Sequence, residues 1–205
     1  MSGQQKTLDR ISHKQLLASV VGTQLFFLTA AFLLGSFLFK NDPILIGIAD
    51  LSPSIILIGL TAGLLIVLAD IWLMKTLPGH YYDDGGINEK LFSNASTAQL
   101  FWLAVIVALS EELLFRGIIQ TNTNWFFASL LFAIVHFRYL NHWYLTLNIV
   151  ILSLIIGGIY EWTNNIWSTI CLHFIVNLFL GLYIQQSAKH KKRKEGELHE
   201  TRSLS

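Results

Sequence analysis

Charged residues are scarce in this sequence. Only 13% of its 205 residues are Asp, Glu, Lys or Arg, and 53% are hydrophobic. A soluble domain has about a quarter of its residues charged, so the composition excludes a large water-facing domain. There is one cysteine, Cys171, which excludes an intramolecular disulfide and a thiolate zinc cluster. The chain is therefore predicted to be an integral membrane protein.

Long apolar runs occupy most of the chain. A helix needs about 20 apolar residues to cross the hydrocarbon core of a membrane. The tryptophans fall within a few residues of the ends of these runs, where aromatic belts form. We predict an all-α, polytopic membrane helix bundle of about six transmembrane helices. The predicted spans are 15–39, 51–74, 97–120, 123–140, 142–160 and 166–186.

Basic residues near both ends of the chain predict its orientation. Lys6, Arg10 and Lys14 precede or open the first apolar run, and the tail carries KHKKRK at 189–194. Lysines and arginines beside membrane helices mark the cytoplasmic side. An even number of spans also places both termini on one side. We therefore expect a multi-pass plasma-membrane protein with both termini in the cytoplasm, and no nucleic-acid partner for the basic tail.

The predicted organisation has four parts. Pro78 and three following glycines indicate that 75–96 is a flexible loop rather than a domain. Gly59 and Gly63 form a GxxxG pair that favours close helix packing within the chain, with a dimer face as the alternative. The parts are a cytoplasmic N-terminus at 1–14, two spans and a cytoplasmic loop at 15–96, a four-span core at 97–186 and a basic cytoplasmic tail at 187–205.

A few polar side chains lie inside the predicted spans, where they are costly. A single buried histidine, or an Arg–Glu pair, is more often helix packing than a site, and we assign Asp70 and Asn148 to packing. The others lie on three helices, about 10 to 20 Å from the outer helix ends at 1.5 Å per residue. That agreement favours one intramembrane site. Its members are Glu111, Glu112, Arg116, His136, His173 and Asn177.

The two adjacent glutamates point in different directions from their predicted helix. Glu112 and Arg116 are four residues apart and share a helix face, whereas Glu111 is rotated from Arg116 by about 140°. Arg116 is therefore expected to compensate Glu112, which leaves Glu111 as the freer carboxylate and a candidate general base. His173 and Asn177 also share a face, and their imidazole and amide donors suit an oxyanion.

Three motifs occur in order in the second half of the chain. They are EExxxR from Glu111, FxxxH from Phe132 and HxxxN from His173. Each motif lies within an apolar segment, and their order resembles that of the three motifs of the CPBP family. This family contains the CAAX prenyl endopeptidases and the bacteriocin-processing, or Abi, proteins. The resemblance covers about 97–186, whereas the first two helices match only as generic spans.

The resemblance implies an intramembrane endopeptidase in which a glutamate and a histidine activate water. By position, Glu111 would be the principal base and His136 would help to bind the water. Glu112 and Arg116 would orient the carboxylate pair, and His173 with Asn177 would form the oxyanion hole.

No cofactor is expected from these motifs. The HExxH spacing of many zinc sites is absent from the sequence. Two histidines and a glutamate on different helices can still bind zinc, so a site on Glu111, His136 and His173 stays open as an alternative to metal-free hydrolysis.

The length of the chain resembles the compact bacterial members of the family, for which prenylated substrates are not implied. The partners expected are the lipid bilayer and a peptide or membrane-protein substrate, with a bacteriocin or a sensor kinase as further options. Two rival functions remain. One is bacteriocin self-immunity or regulation by binding rather than cleavage. The other is a small proton-coupled transporter, which lacks the support that inverted repeats or broken helices would give.

Overall fold

The computed structural model describes residues 10–38, 51–139 and 142–203. This part of the chain forms seven helices and no strand. Five helices are long and apolar enough to cross a membrane. The predicted all-α membrane bundle is therefore confirmed. The helices are α1 (His13–Leu38), α2 (Pro53–Thr76), α3 (Ile87–Ser93), α4 (Thr97–Gln120), α5 (Trp125–Val135), α6 (Trp143–Thr163) and α7 (Ile166–Ser203).

The fourth predicted span is only partly helical. Helix α5 has 11 residues and is about 16 Å long, well short of a hydrocarbon core of about 30 Å. It ends because the His136 ring Nδ1 lies 2.7 Å from the Phe132 carbonyl, which the backbone N–H of residue 136 would bind in a continuing helix. A single 3₁₀ turn, Phe137–Tyr139, follows. The span predicted at 123–140 is thus corrected to a short helix and a turn.

The 125–139 segment nevertheless connects opposite ends of the bundle. At one end Trp125 lines a cavity together with Asn164, which directly follows the last residue of α6. At the other end the Tyr139 hydroxyl lies 3.2 Å from the side-chain nitrogen of Asn88, in α3. We call the end that carries α3 the loop end, and the opposite end the far end. The described chain therefore has five helices long enough to span a membrane, and the shorter 125–139 segment joins the two ends of the bundle.

The central contact of the fold joins α2 to α7. The predicted GxxxG pair lies in this contact, since a Cβ added at Gly63 would lie 2.8 Å from the Leu172 carbonyl oxygen, and one at Gly59 would overlap the Ser168 carbonyl. Only glycine allows two helix backbones to come this close. The prediction of packing within the chain is confirmed.

The connection between α2 and α4 is structured, contrary to the prediction of a flexible loop. It contains a 3₁₀ turn, Gly79–Tyr81, and helix α3. Leu91 and Ala95 are buried, and the Gln185 amide of α7 donates to the Ala95 carbonyl at 2.6 Å. These apolar contacts hold the connection against α7, which its glycine and proline content did not indicate.

Both ends of the described chain lie at the loop end. Helix α1 runs parallel to α4, because Gln24 contacts Ser110 and Phe27 contacts Phe115. Helix α7 runs antiparallel to α4, and its C-terminal part passes α3 and continues as helix to Ser203. The basic tail predicted at 187–205 is therefore a helical extension of α7 through Ser203. The two described ends lie on the same side of the bundle, as predicted.

Candidate active site

Helix α4 changes its winding at the two glutamates. It is α-helical from Thr97 to Glu112 and π-helical from Leu113 to Gln120. Wider π turns of this kind occur frequently at functional sites. Glu112 and Arg116 lie on either side of the change, and both side chains are completely buried. The winding therefore changes where the chain holds its costliest side chains.

Arg116 is paired with Glu112, as its spacing predicted. Its Nε atom lies 3.4 Å from Glu112 Oε2. One Nη atom donates to the Ser153 hydroxyl of α6 at 2.9 Å, and the other to the Gln120 side-chain oxygen at 3.3 Å. The guanidinium is thus held by an ion pair and by hydrogen bonds to two helices, which lowers the cost of its burial.

The second oxygen of Glu112 binds His173. Glu112 Oε1 lies 2.7 Å from His173 Nδ1. An ionised carboxylate only accepts hydrogen bonds, so Nδ1 carries the proton of this contact. The other ring nitrogen, Nε2, lies 3.9 Å from Glu111 Oε2. His173 is therefore oriented by one glutamate and faces the other.

Glu111 is the freer of the two carboxylates. Its Oε1 accepts a hydrogen bond from the Gln24 amide at 3.2 Å. Its Oε2 is buried and has no hydrogen-bond partner among the described residues. That atom lies 3.9 Å from the Nε2 atoms of both His136 and His173. One carboxylate oxygen thus faces two imidazoles at a distance that a bridging group can span.

His136 closes the site on its more open side. Its side chain is 23% exposed, against 4% for His173. A carbonyl oxygen is only an acceptor, so Nδ1 donates to Phe132. In the neutral imidazole, the Nε2 atom that faces Glu111 therefore has a free lone pair.

Phe132 forms the apolar wall of the cluster. Its buried ring lies 4.6 Å from the His136 ring and 6.0 Å from the His173 ring, between centroids. The Arg116 guanidinium lies over the same ring at 5.3 Å, within the range of a cation–π contact. The phenylalanine of the FxxxH motif thus packs against side chains from all three motifs.

Asn177 lies one helical turn from His173, toward the loop end. Its side-chain nitrogen is buried without a hydrogen-bond partner among the described residues, and its side chain lines a cavity of about 220 Å³. The contacts described above join the remaining predicted residues to one another. Those residues are Glu111, Glu112, Arg116, His136 and His173.

One member of the cluster was missed by the sequence analysis. Gln24 of α1 is buried, accepts a hydrogen bond from the Ser110 hydroxyl at 2.5 Å and donates to Glu111. The first helix was treated as a generic span. A signal existed, because Gln24 is a lone amide in the apolar run VVGTQLFFL and such residues mark polar contacts inside membranes.

The side chains of the cluster do not form a recognisable metal site. Zinc in a catalytic site takes three protein ligands at about 2.0–2.2 Å from one point. The part of the chain that the structure describes contains no group of three or more His, Cys, Asp and Glu side chains arranged in that way. The geometry therefore gives no support to the zinc alternative.

The similarity of this chain to known proteins covers more residues than the three motifs. The model of the family "Type II CAAX prenyl endopeptidase Rce1-like" matches residues 93–179. The uncharacterized protein YpbD of Bacillus subtilis is 37% identical over 178 residues, which cover 86% of this chain and 93% of YpbD. The UPF0177 protein YxdF of Lactococcus lactis is 40% identical over 107 residues, which cover 50% of this chain and 59% of YxdF. No solved structure matches the chain.

The matched region contains every predicted site residue, and the similarity to YpbD runs through most of both chains. Five long apolar helices place the protein in a membrane. The chain belongs to the family of Rce1-like type II CAAX prenyl endopeptidases, which are intramembrane proteases.

Proposed function

We propose that the protein hydrolyses peptide bonds within the membrane with a water molecule activated by Glu111 and His136. The observation that carries this proposal is the unpartnered Oε2 of Glu111, 3.9 Å from His136 Nε2. A water oxygen about 2.8 Å from each of two acceptors fits between them at this separation. It would donate one hydrogen to each acceptor, which orients its lone pairs toward a substrate carbonyl.

The reaction is a general base-catalysed hydrolysis. Glu111 Oε2 removes a proton from the water as the water oxygen bonds to the carbonyl carbon, and the π electrons of the carbonyl move to its oxygen. His136 Nε2 holds the other hydrogen of the water during the attack. When the tetrahedral intermediate collapses, the C–N bond breaks and the leaving nitrogen takes the proton from Glu111. The products are a carboxylic acid and an amine.

His173 and Asn177 are proposed to stabilise the oxyanion. The Nδ1 proton of His173 is shared with Glu112, so Nε2 donates a hydrogen bond only in the imidazolium form. An imidazolium together with Arg116 balances the two glutamates, which makes the cluster neutral overall. The unpartnered amide nitrogen of Asn177 supplies a second donor. Donors that are already in place when charge develops are a large part of catalysis in water-poor sites.

The substrate class proposed is a peptide or a membrane-protein segment that reaches this depth of the bilayer. The core at 97–186 would supply the reacting groups, and α1 would support them through Gln24. Both termini and the α3 connection would face the cytoplasm, because the basic residues lie at the loop end.

The test is cleavage by the purified protein in lipid nanodiscs. The substrate is a mixture of apolar peptides, and mass spectrometry identifies the products. The Glu111→Gln variant keeps the hydrogen-bonding shape of the side chain but has no base, so cleavage should be lost while the protein still folds. The matched control is Glu89→Gln, an exposed carboxylate on α3, which should cleave at the wild-type rate.

Wild-type cleavage by Glu111→Gln would overturn the proposed mechanism. The same variant separates proteolysis from action by binding. If it fully protects cells in a bacteriocin challenge in which the wild-type protein is protective, the protective role does not depend on hydrolysis.

A further inference from the structure

A cavity of about 220 Å³ lies between α2, α6 and α7, on the loop-end side of the candidate active site. Asn177 lines it, and so does Tyr139, whose ring is parallel to the His136 ring with centroids 6.3 Å apart. Leu152, Val176 and Leu180 contribute apolar wall. The cavity thus adjoins both the proposed oxyanion donors and the proposed water-binding histidine. Pockets of this kind, apolar with a few polar groups, are typical binding sites.

One carboxylate faces this cavity. Asp70 is the only acidic residue among the described residues that line it, and none of those residues is Lys, Arg or His. Its Oδ1 accepts a hydrogen bond from the Asn148 amide, a neutral partner, at 3.4 Å. A carboxylate inside a membrane helix is costly and is usually retained for a function. The two residues assigned to packing do contact each other, but they do so at the wall of a cavity.

The register of α2 against α7 places Asp70 relative to the reacting groups. Val67 packs with Leu172 and Val176, and the two helices run in the same direction. Asp70 follows Val67 by three residues and Gly63, which contacts Leu172 and Ile175, by seven, so it lies level with about residues 177–180 of α7. That is about 6–10 Å from His173 along the helix axis. An extended peptide advances about 3.3 Å per residue, so Asp70 lies about two to three residues from a peptide bond held at the site.

We propose that Asp70 determines substrate specificity by binding the ammonium or guanidinium group of a Lys or Arg side chain about two to three residues from the scissile bond. This inference rests on the proposed function and names the substrate class of the same site. A cationic side chain would neutralise the one carboxylate of the cavity, and its aliphatic stem would pack along the apolar wall. Asn148 would hold the carboxylate in place for that contact.

The experiment measures binding separately from cleavage. Three peptide mixtures, identical apart from one fixed position that is Lys, norleucine or Glu, are titrated into the Glu111→Gln variant in nanodiscs. We expect the Lys mixture to bind at least about tenfold more tightly than the norleucine mixture, and the Glu mixture to bind most weakly. Adding Asp70→Asn should abolish the difference between Lys and norleucine, whereas adding Asp70→Glu should retain it.

Glu89→Gln is the matched control. It removes an exposed carboxylate of α3 that does not line the cavity, so it should keep the preference for Lys. A preference for Lys that survives Asp70→Asn, or no preference in the Glu111→Gln protein, would overturn the inference. Cleavage by the wild-type protein is scored in parallel. Absence of Glu111-dependent cleavage would count against the proposed function, while the binding preference would still decide the role of Asp70.

Discussion

The Gln24 amide donates a hydrogen bond to Glu111 across 87 residues of sequence, at 3.2 Å. This contact brings α1 into the candidate active site. The other oxygen of Glu111, Oε2, faces the two histidines.

Replacing Gln24 by Leu should slow catalysis without removing substrate binding. A hydrogen bond to a charged group contributes about 1.5–3 kcal/mol, so we expect kcat to fall about 10- to 100-fold with KM little changed. The reason is that the Glu111 carboxylate would lose its orientation. Steady-state kinetics with a peptide cleaved by the wild-type protein measures the effect.

Thr23→Ala is the matched control for this variant. Among the described residues, the neighbouring Thr23 hydroxyl bonds to the Ser19 carbonyl of its own helix, at 3.0 Å, so kcat should not change. A Gln24→Leu protein with wild-type kcat would show that the contact does not position Glu111.

The value of kcat/KM should decline at high pH. At high pH, His173 loses the Nε2 proton, since its Nδ1 proton is committed to Glu112, and the oxyanion loses a donor. The His173→Gln variant keeps an amide donor that does not titrate. Its rate should be lower, and its decline at high pH should be absent; persistence of that decline would assign it to another group.

Asp84 should reduce stability at neutral pH. It lies outside the membrane-spanning helices, and burial raises the pKa of its carboxyl group, although Arg138 at 3.4 Å acts in the opposite direction. A raised folded-state pKa means that the contribution of this group is most favourable below the ordinary carboxyl pKa and is lost as pH rises through the folded-state pKa. The Asp84→Asn variant should therefore unfold at a higher temperature than wild type at pH 7.

The difference between the two proteins should diminish as pH falls toward the ordinary carboxyl range. Thermal unfolding in nanodiscs at several pH values measures it. A lower unfolding temperature for Asp84→Asn at pH 7 would mean that the ion pair with Arg138 outweighs the cost of burial.

Gly63→Ala should weaken the contact between α2 and α7. The new Cβ would lie 2.8 Å from the Leu172 carbonyl and 2.9 Å from the Ile175 Cβ, so the two helices must separate. Gly22→Ala is a matched control, because nothing lies within 4 Å of a Cβ at that position and alanine favours helix. We expect a lower unfolding temperature for the first variant and an equal or higher one for the second. Equal stability of Gly63→Ala and wild type would contradict the packing described.

Much of the fold and the identity of the candidate site could be predicted from the sequence. Scarce charge and long apolar runs predicted a membrane helix bundle, because transfer into lipid is a property of each segment by itself. The spacing of Glu112 and Arg116 predicted their ion pair, because residues four apart are neighbours on any helix. Glu111 could be identified from the sequence because a charged residue inside a membrane is costly in any fold.

Other features depended on which helices are neighbours. Gln24 could not be assigned to Glu111 because an apolar run does not specify the helix that it packs against. The short α5 follows from a hydrogen bond between the His136 ring and the Phe132 carbonyl, and a hydropathy pattern does not encode side-chain direction.

Asp70 and Asn148 were predicted to be packing residues, and the structure places them at the wall of a cavity beside Asn177. The sequence by itself determined which residues are too costly to hold in a membrane without a reason. Tertiary structure alone decided how they meet, because distances between helices depend on side-chain packing between segments that are far apart in the chain.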